Sequence, residues 1–348
     1  MDYFVREYRD LDREELVSLL ERGLHIERAD DRLRSVYEAN PAGPALVSVA
    51  EDKSSGKVIA AYAAFPFRLM AEGEALLVGQ RGDLIVDKSF RGQGIFKALR
   101  PHMVARASEA GMAFTLSMPN PAAWAGHRSM GCTEVGPLVT MLLPLDATRI
   151  ARRYLPGNVL GSAASHIVGA VGGLFWREAR FKDQGEYTCR PVFVFDERFD
   201  QLWQETSSLR AIMMIRDRAY LQWRWTILGR DQWALAVERG GRLAGYALVR
   251  RRADGMAEIK DFLTTQDEGA ATSLIHTVAA QARAEGMAGV AFQSLEDCPF
   301  FDAFQRCGFR VLPRASGSAL VLVPGAVEVM SPSWGQSSNW YLTAGDRE

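Results

Sequence analysis

Apolar residues in this chain fall into short runs of strand or helix period, separated by glycine turns. Tyr3 to Tyr8 alternates well enough for an opening strand. Leu16, Leu19 and Leu20 then share one helical face, and Asp12 followed by Glu15 forms a capping-box signal ahead of them. A second short helix fits Asp31 to Ala39, stopped before Pro41. Ala45 to Ala50 and Val58 to Ala64, joined by Lys53-Ser54-Ser55-Gly56, predict a hairpin. Ala75 to Val78 reads as a short strand and Asp83 to Val86 as another. A helix from Ile95 to about Ala110 follows, with Gly111 as its C-cap. Met112 to Met118 is the next strand, Pro121 to Met130 a short helix, and Glu134 to Leu143 a closing strand.

The second half repeats this theme more faintly. Ala234 to Val237 and Leu243 to Arg250 predict a hairpin around Gly240-Gly241. Met256 to Leu263 follows as a strand, Asp267 to Glu285 as a helix, and Gly286 as its C-cap. Two glycine pairs stand in nearly one register, 175 residues apart (Gly111 to Gly286) and 177 apart (Gly131 to Gly308). A duplicated architecture is the expectation.

Gly79 to Met103 carries the candidate chemistry. A β-branched strand ends at Val86, Arg91-Gly92-Gln93-Gly94 turns the chain, and a helix starts near Ile95. Two glycines permit a tight turn and close approach of a ligand to the backbone. Unpaired N–H groups at the helix start make an anion seat, suited to a pyrophosphate. The spacing is neither Gly-x-Gly-x-x-Gly, since Ala98 is the nearest small residue and sits one position late, nor a Walker A loop, since no Gly-Lys-Ser/Thr follows.

The turn resembles the acyl-CoA signature of the GNAT N-acetyltransferases, Arg/Gln-x-x-Gly-x-Gly/Ala after an apolar strand. Arg91, Gly94 and the strand match; Phe96 stands where Gly or Ala is usual. The order of elements over residues 1–145 is also that of this superfamily. The resemblance implies an α/β fold of α+β type: two tandem GNAT-like domains, each a mixed, mostly antiparallel twisted sheet flanked by helices. It implies that Leu84, Ile85, Val86, Arg91, Gly92, Gln93, Gly94, Ile95 and Phe96 bind acetyl-CoA or another acyl-CoA. GNAT enzymes further carry Asn-x-x-Ala/Ser-x-x-x-Tyr-x-Lys-x-Gly-Phe, and this chain has Asn120-x-x-Ala123-x-x-x-His127-x-Ser129-x-Gly131-Cys132. Asn120 is thereby expected to hydrogen-bond the pantetheine arm. His127 replaces the tyrosine that protonates the departing thiolate, a task imidazolium can perform near neutral pH; the packing or capping alternative stays open. No general base emerges from spacing: Gln80, Asp83, Glu72 and Glu74 read as structural or solvated. In the second half the turn is replaced by Thr264-Thr265-Gln266-Asp267-Glu268-Gly269. Its two carboxylates would satisfy the helix start themselves and repel a pyrophosphate.

Composition narrows the classes. The chain has 348 residues, 48% hydrophobic and 24% charged, enough for two packed cores. A net charge of −1 argues against a nucleic-acid partner. The first residues lack a cationic and apolar leader, and Cys132, Cys189, Cys298 and Cys307 lack zinc-ligand spacing. A cytoplasmic protein with reduced thiols and no metal is expected. Residues 158–176 carry no formal charge, but Leu160, Ile167, Val168, Val171, Leu174 and Phe175 form one stripe. Such a stripe suits a helix packed on protein or making peripheral membrane contact, and a bilayer span is the weakest of the three readings.

Arg216-Asp217-Arg218-Ala219-Tyr220-Leu221-Gln222-Trp223-Arg224-Trp225 resembles a motif of tandem GNAT-like proteins, some associated with bacterial cell-surface polysaccharide synthesis. It suits either sugar or anion binding, or helix packing through Leu221 and Trp225. The aromatics Trp340 and Tyr341 imply that the C-terminal tail docks on the body. The expected organisation is a GNAT domain over 1–147, a helical linker over 148–190, a degenerate second domain over 191–325 and a docked tail over 326–348. The expected function is N-acyl transfer from acyl-CoA to an amine of a small molecule, such as an amino sugar or amino-acid-like precursor, by direct attack. The alternatives are a non-catalytic acyl-CoA-binding sensor or scaffold, and an aminoacyl-tRNA-dependent transferase.

Overall fold

The computed structural model describes residues 2–119, 132–146, 148–150, 186–312, 319–324 and 331–346. Asn120, His127 and the 158–176 stripe lie outside them. In the first half, β1 (Tyr3–Glu7), β2 (Leu46–Asp52), β3 (Val58–Ala71) and β4 (Glu74–Val86) form an antiparallel series. Helix α1 (Arg13–Leu24) continues after a short link into α2 (Ala29–Arg32) and a wider turn over Leu33–Glu38. Helix α3 (Ile95–Glu109) crosses back to β5 (Phe114–Ser117), which lies parallel to β4. The alanines of β3 are buried on both faces, so α1 and α3 approach the sheet closely from opposite sides. The contact is tight enough at Gly23 of α1 that a Cβ there would stand 1.8 Å from Ile85 Cδ1.

The second half repeats the β–α–β pattern. After β7 (Tyr187–Val192), α4 (Glu197–Thr206), β8 (Ile212–Met214) and α5 (Arg218–Leu228), β9 (Gln232–Arg239) and β10 (Arg242–Arg251) form the expected hairpin. Then β11 (Ala257–Thr264), α6 (Glu268–Ala284) and β12 (Gly289–Leu295) place β11 and β12 parallel. The short helix α7 (Phe301–Arg306) and strand β13 (Arg310–Val311) complete it before β14 (Ala319–Pro324).

The closing strands are exchanged. β6 (Thr133–Pro144), from the first half, pairs antiparallel with β12, and β14, from the second, inserts between β5 and β6. One sheet therefore runs β1-β2-β3-β4-β5-β14-β6-β12-β11-β10-β9-β7. The boundaries read from sequence at 147 and 191 do not divide it. The sheet is mixed and mostly antiparallel, as the resemblance implied, but the two halves share it. After β14 the chain returns over residues 331–346, where β15 (Trp340–Tyr341) pairs parallel with β8.

Three local expectations change. Asp12 does not cap α1: its carboxylate takes Arg6 at 2.6 Å and 2.8 Å and the Arg9 amide at 2.7 Å, because a bidentate cation outcompetes the helix amides. Glu15 accepts the Val58 amide instead, at 2.7 Å. The two strands read at Ala75–Val78 and Asp83–Val86 are one, interrupted by a bulge where the register against β3 shifts between Ala61 and Ala63.

On α6, burial pushes the His276 imidazole down to about 4 from 6.5. The folded chain keeps the ring neutral where the unfolded chain takes up a proton, so stability is lost as pH falls from about 6.5 towards 4. Thermal melts between pH 7 and 4.5 should show this loss, and His276→Gln should reduce its slope.

Candidate functional site

The ends of β4 and β5 diverge. Their pairing stops at Gln80 with Leu116, so β4 runs on from Arg81 to Val86 without β5 beside it. Asp87 then turns the chain, accepting the Ser89 amide at 2.9 Å, and leads through Lys88–Phe90 into Arg91-Gly92-Gln93-Gly94. Gly92 and Gly94 have φ of 80° and 77°, a left-handed conformation that disfavours any side chain, although a Cβ at either would meet nothing within 4 Å. The turn is thus open in front of its backbone. Among the described residues, the amides of Gly92 to Phe96 have no hydrogen-bond acceptor, which leaves the start of α3 available to an anion.

Beside the turn is a cavity of about 380 Å³ between the end of α1 and the end of β4. Arg22, Lys88 and Arg91 line it with Ile85 and Val86, and among the described residues Asp87 is its one carboxylate. Arg22 approaches Asp87 at 3.6 Å, and Arg91 Nε donates to the Val86 carbonyl at 3.2 Å. The structure thus brings Ile85, Val86 and Arg91 together at one rim. Leu84 and Phe96 instead pack against the cluster under α3, where Ile95 is buried, and Val86 reaches that cluster as well as the rim.

Among its described residues, the second half offers no equivalent. Asp267 caps α6, accepting from the amides of Gly269 at 2.9 Å and Ala270 at 3.3 Å, and also takes Tyr187 and Arg239. The helix start is occupied by the protein's own carboxylate.

Asp83 sits at the β4 bulge with φ of 43°, a strained conformation for a side-chain-bearing residue. Its carboxylate is held by Arg32, at 2.8 Å and 3.1 Å, and by the Tyr37 hydroxyl at 2.7 Å. Burial and the neighbouring Asp83 push Tyr37 well above its ordinary value, keeping it a donor. Gln80 donates to the Asp346 carbonyl at 2.7 Å, Glu72 accepts from Ser331 and Ser333, and Glu74 is exposed. The carboxylates weighed as bases are therefore paired or solvated.

Sequence reasoning missed two groups near β4. Arg81 is buried, with Nε and Nη2 lacking hydrogen-bond partners and Nη1 3.4 Å from the Tyr62 hydroxyl. Burial, then Arg81 itself, pushes the nearby Arg100 guanidinium down. The other is the tail. Asp346 is fully buried and accepts from Arg216 at 2.5 Å and Tyr220 at 3.0 Å; Arg216 also reaches Asp261 at 3.1 Å. Burial raises the Asp346 carboxyl above its usual value even with Arg216 against it. For Arg216 the opposing pull of burial is outweighed by Asp261 and Asp346, which hold it well above its usual value. No residue pattern flags these contacts, because their partners lie far apart in sequence.

Residues 5–135 match the sequence model of the acetyltransferase (GNAT) domain. Over this stretch the chain is similar to a GNAT domain. No curated protein matches the chain in sequence. Among solved structures, a probable N-acyltransferase from Enterococcus faecalis aligns with TM-score 0.64 at 13% identity, over 94% of this chain and 74% of that one. A GCN5-related N-acetyltransferase from Anabaena variabilis aligns with TM-score 0.63 at 15% identity, over 92% and 72%. N-myristoyltransferase from Saccharomyces cerevisiae with bound myristoyl-CoA aligns with TM-score 0.57 at 13% identity, over 100% and 84%. These alignments extend the GNAT fold beyond residue 135 into the second half. Among the described residues, no helix is long and apolar enough to cross a membrane.

Proposed function

We propose that the chain transfers an acyl group from acyl-CoA, acetyl-CoA in the simplest case, to an amine of a small molecule. The observation that carries this reading is the open glycine turn at the start of α3, with its uncommitted amides beside the cavity lined by Arg22, Lys88 and Arg91. This arrangement fits the pyrophosphate of the cofactor, and the unpaired end of β4 fits an amide-bearing arm laid along it. The cofactor supplies an activated thioester carbonyl. The chain's own part is to hold that carbonyl against backbone N–H donors of β4 and to position the amine for direct attack. Positioning can supply much of the rate, so paired carboxylates at Asp83 and elsewhere do not weigh against activity. By its place in the GNAT-like pattern that begins at Asn120, His127 is assigned here as the group that protonates the departing thiolate. Replacing it by Ala should then lower kcat while leaving cofactor affinity unchanged.

Titration with acetyl-CoA by calorimetry, alongside Gly94→Glu, tests the reading. The variant is expected to fold, since its Cβ enters open space and the left-handed backbone costs only about 1–2 kcal/mol. One site per chain, lost in the variant, is the expected result. Absence of binding to the unaltered protein, or equal binding by both, would overturn it. Binding without turnover across a broad amine panel would favour a cofactor-sensing module instead.

A further inference from the structure

Arg81 of β4 is 4% exposed, and two nitrogens of its guanidinium, Nε and Nη2, have no hydrogen-bond partner. The third, Nη1, stands 3.4 Å from the Tyr62 hydroxyl, at the edge of hydrogen-bond range. A buried guanidinium is ordinarily saturated, because each unmade bond forfeits what water would supply. Burial and then Arg81 push the Arg100 guanidinium of α3 down, so a second cation lies close by. Arg100 has interactions of its own, and the open donors in question are those of Arg81.

The place of Arg81 on the sheet decides what would meet it. The pairing of β4 with β5 stops at Gln80, so Arg81 is the first residue of the unpaired end. Side chains alternate along a strand, which puts Arg81 on the same face as Gly79. Thr115 of β5 shares that face: a Cβ at Gly79 would stand 3.2 Å from Thr115 Cγ2 and 3.5 Å from Ala64 Cβ. Ala64 and Tyr62 belong to the layer under α3, so this face looks towards α3. The Thr115 hydroxyl is buried there and has no hydrogen-bond partner. Both strands thus carry an unmet polar group where they part. From Arg81 the free edge of β4 leads to Val86 and the glycine turn, about 17 Å away at ~3.3 Å per residue. A pantetheine arm anchored by its pyrophosphate at the start of α3, and laid along that edge, brings its thioester to Arg81.

An acceptor enters from solvent, whereas the acyl chain continues inward from the thioester. Arg81, almost without exposure, is on the acyl side. We propose that Arg81, with the Thr115 hydroxyl, holds a carboxylate at the far end of the acyl group, so that the donor is a dicarboxylic acyl-CoA of the malonyl or succinyl type. The proposal rests on the transferase reading and narrows it from acyl-CoA in general to one donor class. Nε and Nη2, the two open nitrogens, form one side of the guanidinium fork and match the two oxygens of a carboxylate. In the transfer the amine nitrogen bonds to the thioester carbon, the carbon–sulfur bond breaks, and an amine proton passes to the departing thiolate. The remote carboxylate is unchanged and leaves on the amide product. Arg81 is thus a specificity residue that selects the donor.

Calorimetric titrations compare malonyl-CoA with propionyl-CoA, and succinyl-CoA with butyryl-CoA, each pair equal in chain length. In at least one pair the carboxylated thioester should bind about tenfold tighter, the worth of one charged hydrogen bond. Arg81→Met keeps most of the side chain's length and should abolish that preference while the neutral thioesters bind as before, which also reports that the variant folds. Arg81→Gln, polar but uncharged, serves the same comparison if the methionine variant does not fold. Equal affinity within both pairs for the unaltered protein would overturn the proposal. So would a preference undiminished in the folded variant. Turnover separates the two sources of a carboxylate. If Arg81 held the acceptor's instead, the members of each pair would bind alike, and Arg81→Met would lower kcat/KM with lysine but not with cadaverine; that pattern would also overturn the proposal. An unaltered protein that binds none of the four thioesters would sink the transferase reading itself, whereas binding without preference would sink the donor class alone.

Discussion

Residues 1–147 produced alone are expected to show no cooperative unfolding transition, although the GNAT match ends at residue 135. In the intact chain β14 occupies the place between β5 and β6, pairing with both. In the fragment, β5 loses one neighbour and β6 loses β12, β13 and β14. Leu320, Val321 and Leu322 of β14 are fully buried. At ~2 kcal/mol for each buried side chain, their loss alone reaches the lower end of a typical domain stability of ~5–15 kcal/mol. The tail adds to this, since Trp334 packs on Phe114 with ring centroids 5.0 Å apart and Trp340 lies 6.3 Å from the same ring. Circular dichroism melts of the fragment and the full chain would decide the matter. A sharp transition in the fragment would mean that the exchanged strand is dispensable to the first half.

Arg216→Met is expected to destabilise the full chain by about 3–5 kcal/mol, the usual cost of removing one partner from a buried ion pair. The residue has no exposure, and its guanidinium joins Asp261, Asp346 and the Met214 carbonyl. Tyr246 and Thr343 also donate to Asp261, at 3.0 Å and 3.2 Å, so groups from β10, β11, α5 and the tail gather around Arg216. Methionine fills the volume but leaves two carboxylates facing each other in a dry interior. Asp346→Asn keeps a hydrogen-bonding group beside Arg216 and should cost less. Urea unfolding of the three proteins measures the difference. A loss below about 1 kcal/mol for Arg216→Met, the scale of an exposed pair, would show that water reaches the cluster.

The motif containing Arg216 and Arg224 shows the packing its residues allow, and it also places one arginine at a cavity. Asp217 caps α5 by accepting the Tyr220 amide at 2.9 Å, and Leu221 is fully buried, which is the packing role. Trp223 Nε1 donates to the Ser35 carbonyl at 2.7 Å and so joins the two halves. Arg224, one residue on, lines a cavity with Arg32 of the first half. Helical spacing alone could not separate these tasks, because it says which residues share a face but not what the face meets.

By itself the sequence determined what depends on neighbours along the chain. The hairpin of β9 and β10, the strand–turn–helix at Val86 to Ile95 and the self-capping of α6 by Asp267 follow from residue period, left-handed glycines and a carboxylate beside free amides. These are local forces, and they act at short range. Tertiary structure alone decided the exchange of β6 and β14, the use of Asp12 as a partner for Arg6, and the convergence of Arg32, Arg224, Arg250 and Lys260 on one cavity. It also decided the burial of Asp346 against Arg216, 130 residues away in sequence. Each depends on which surfaces meet when the sheet closes. Strand pairing is set by backbone groups that every residue carries, and a buried charge is stabilised only by partners that folding brings to it.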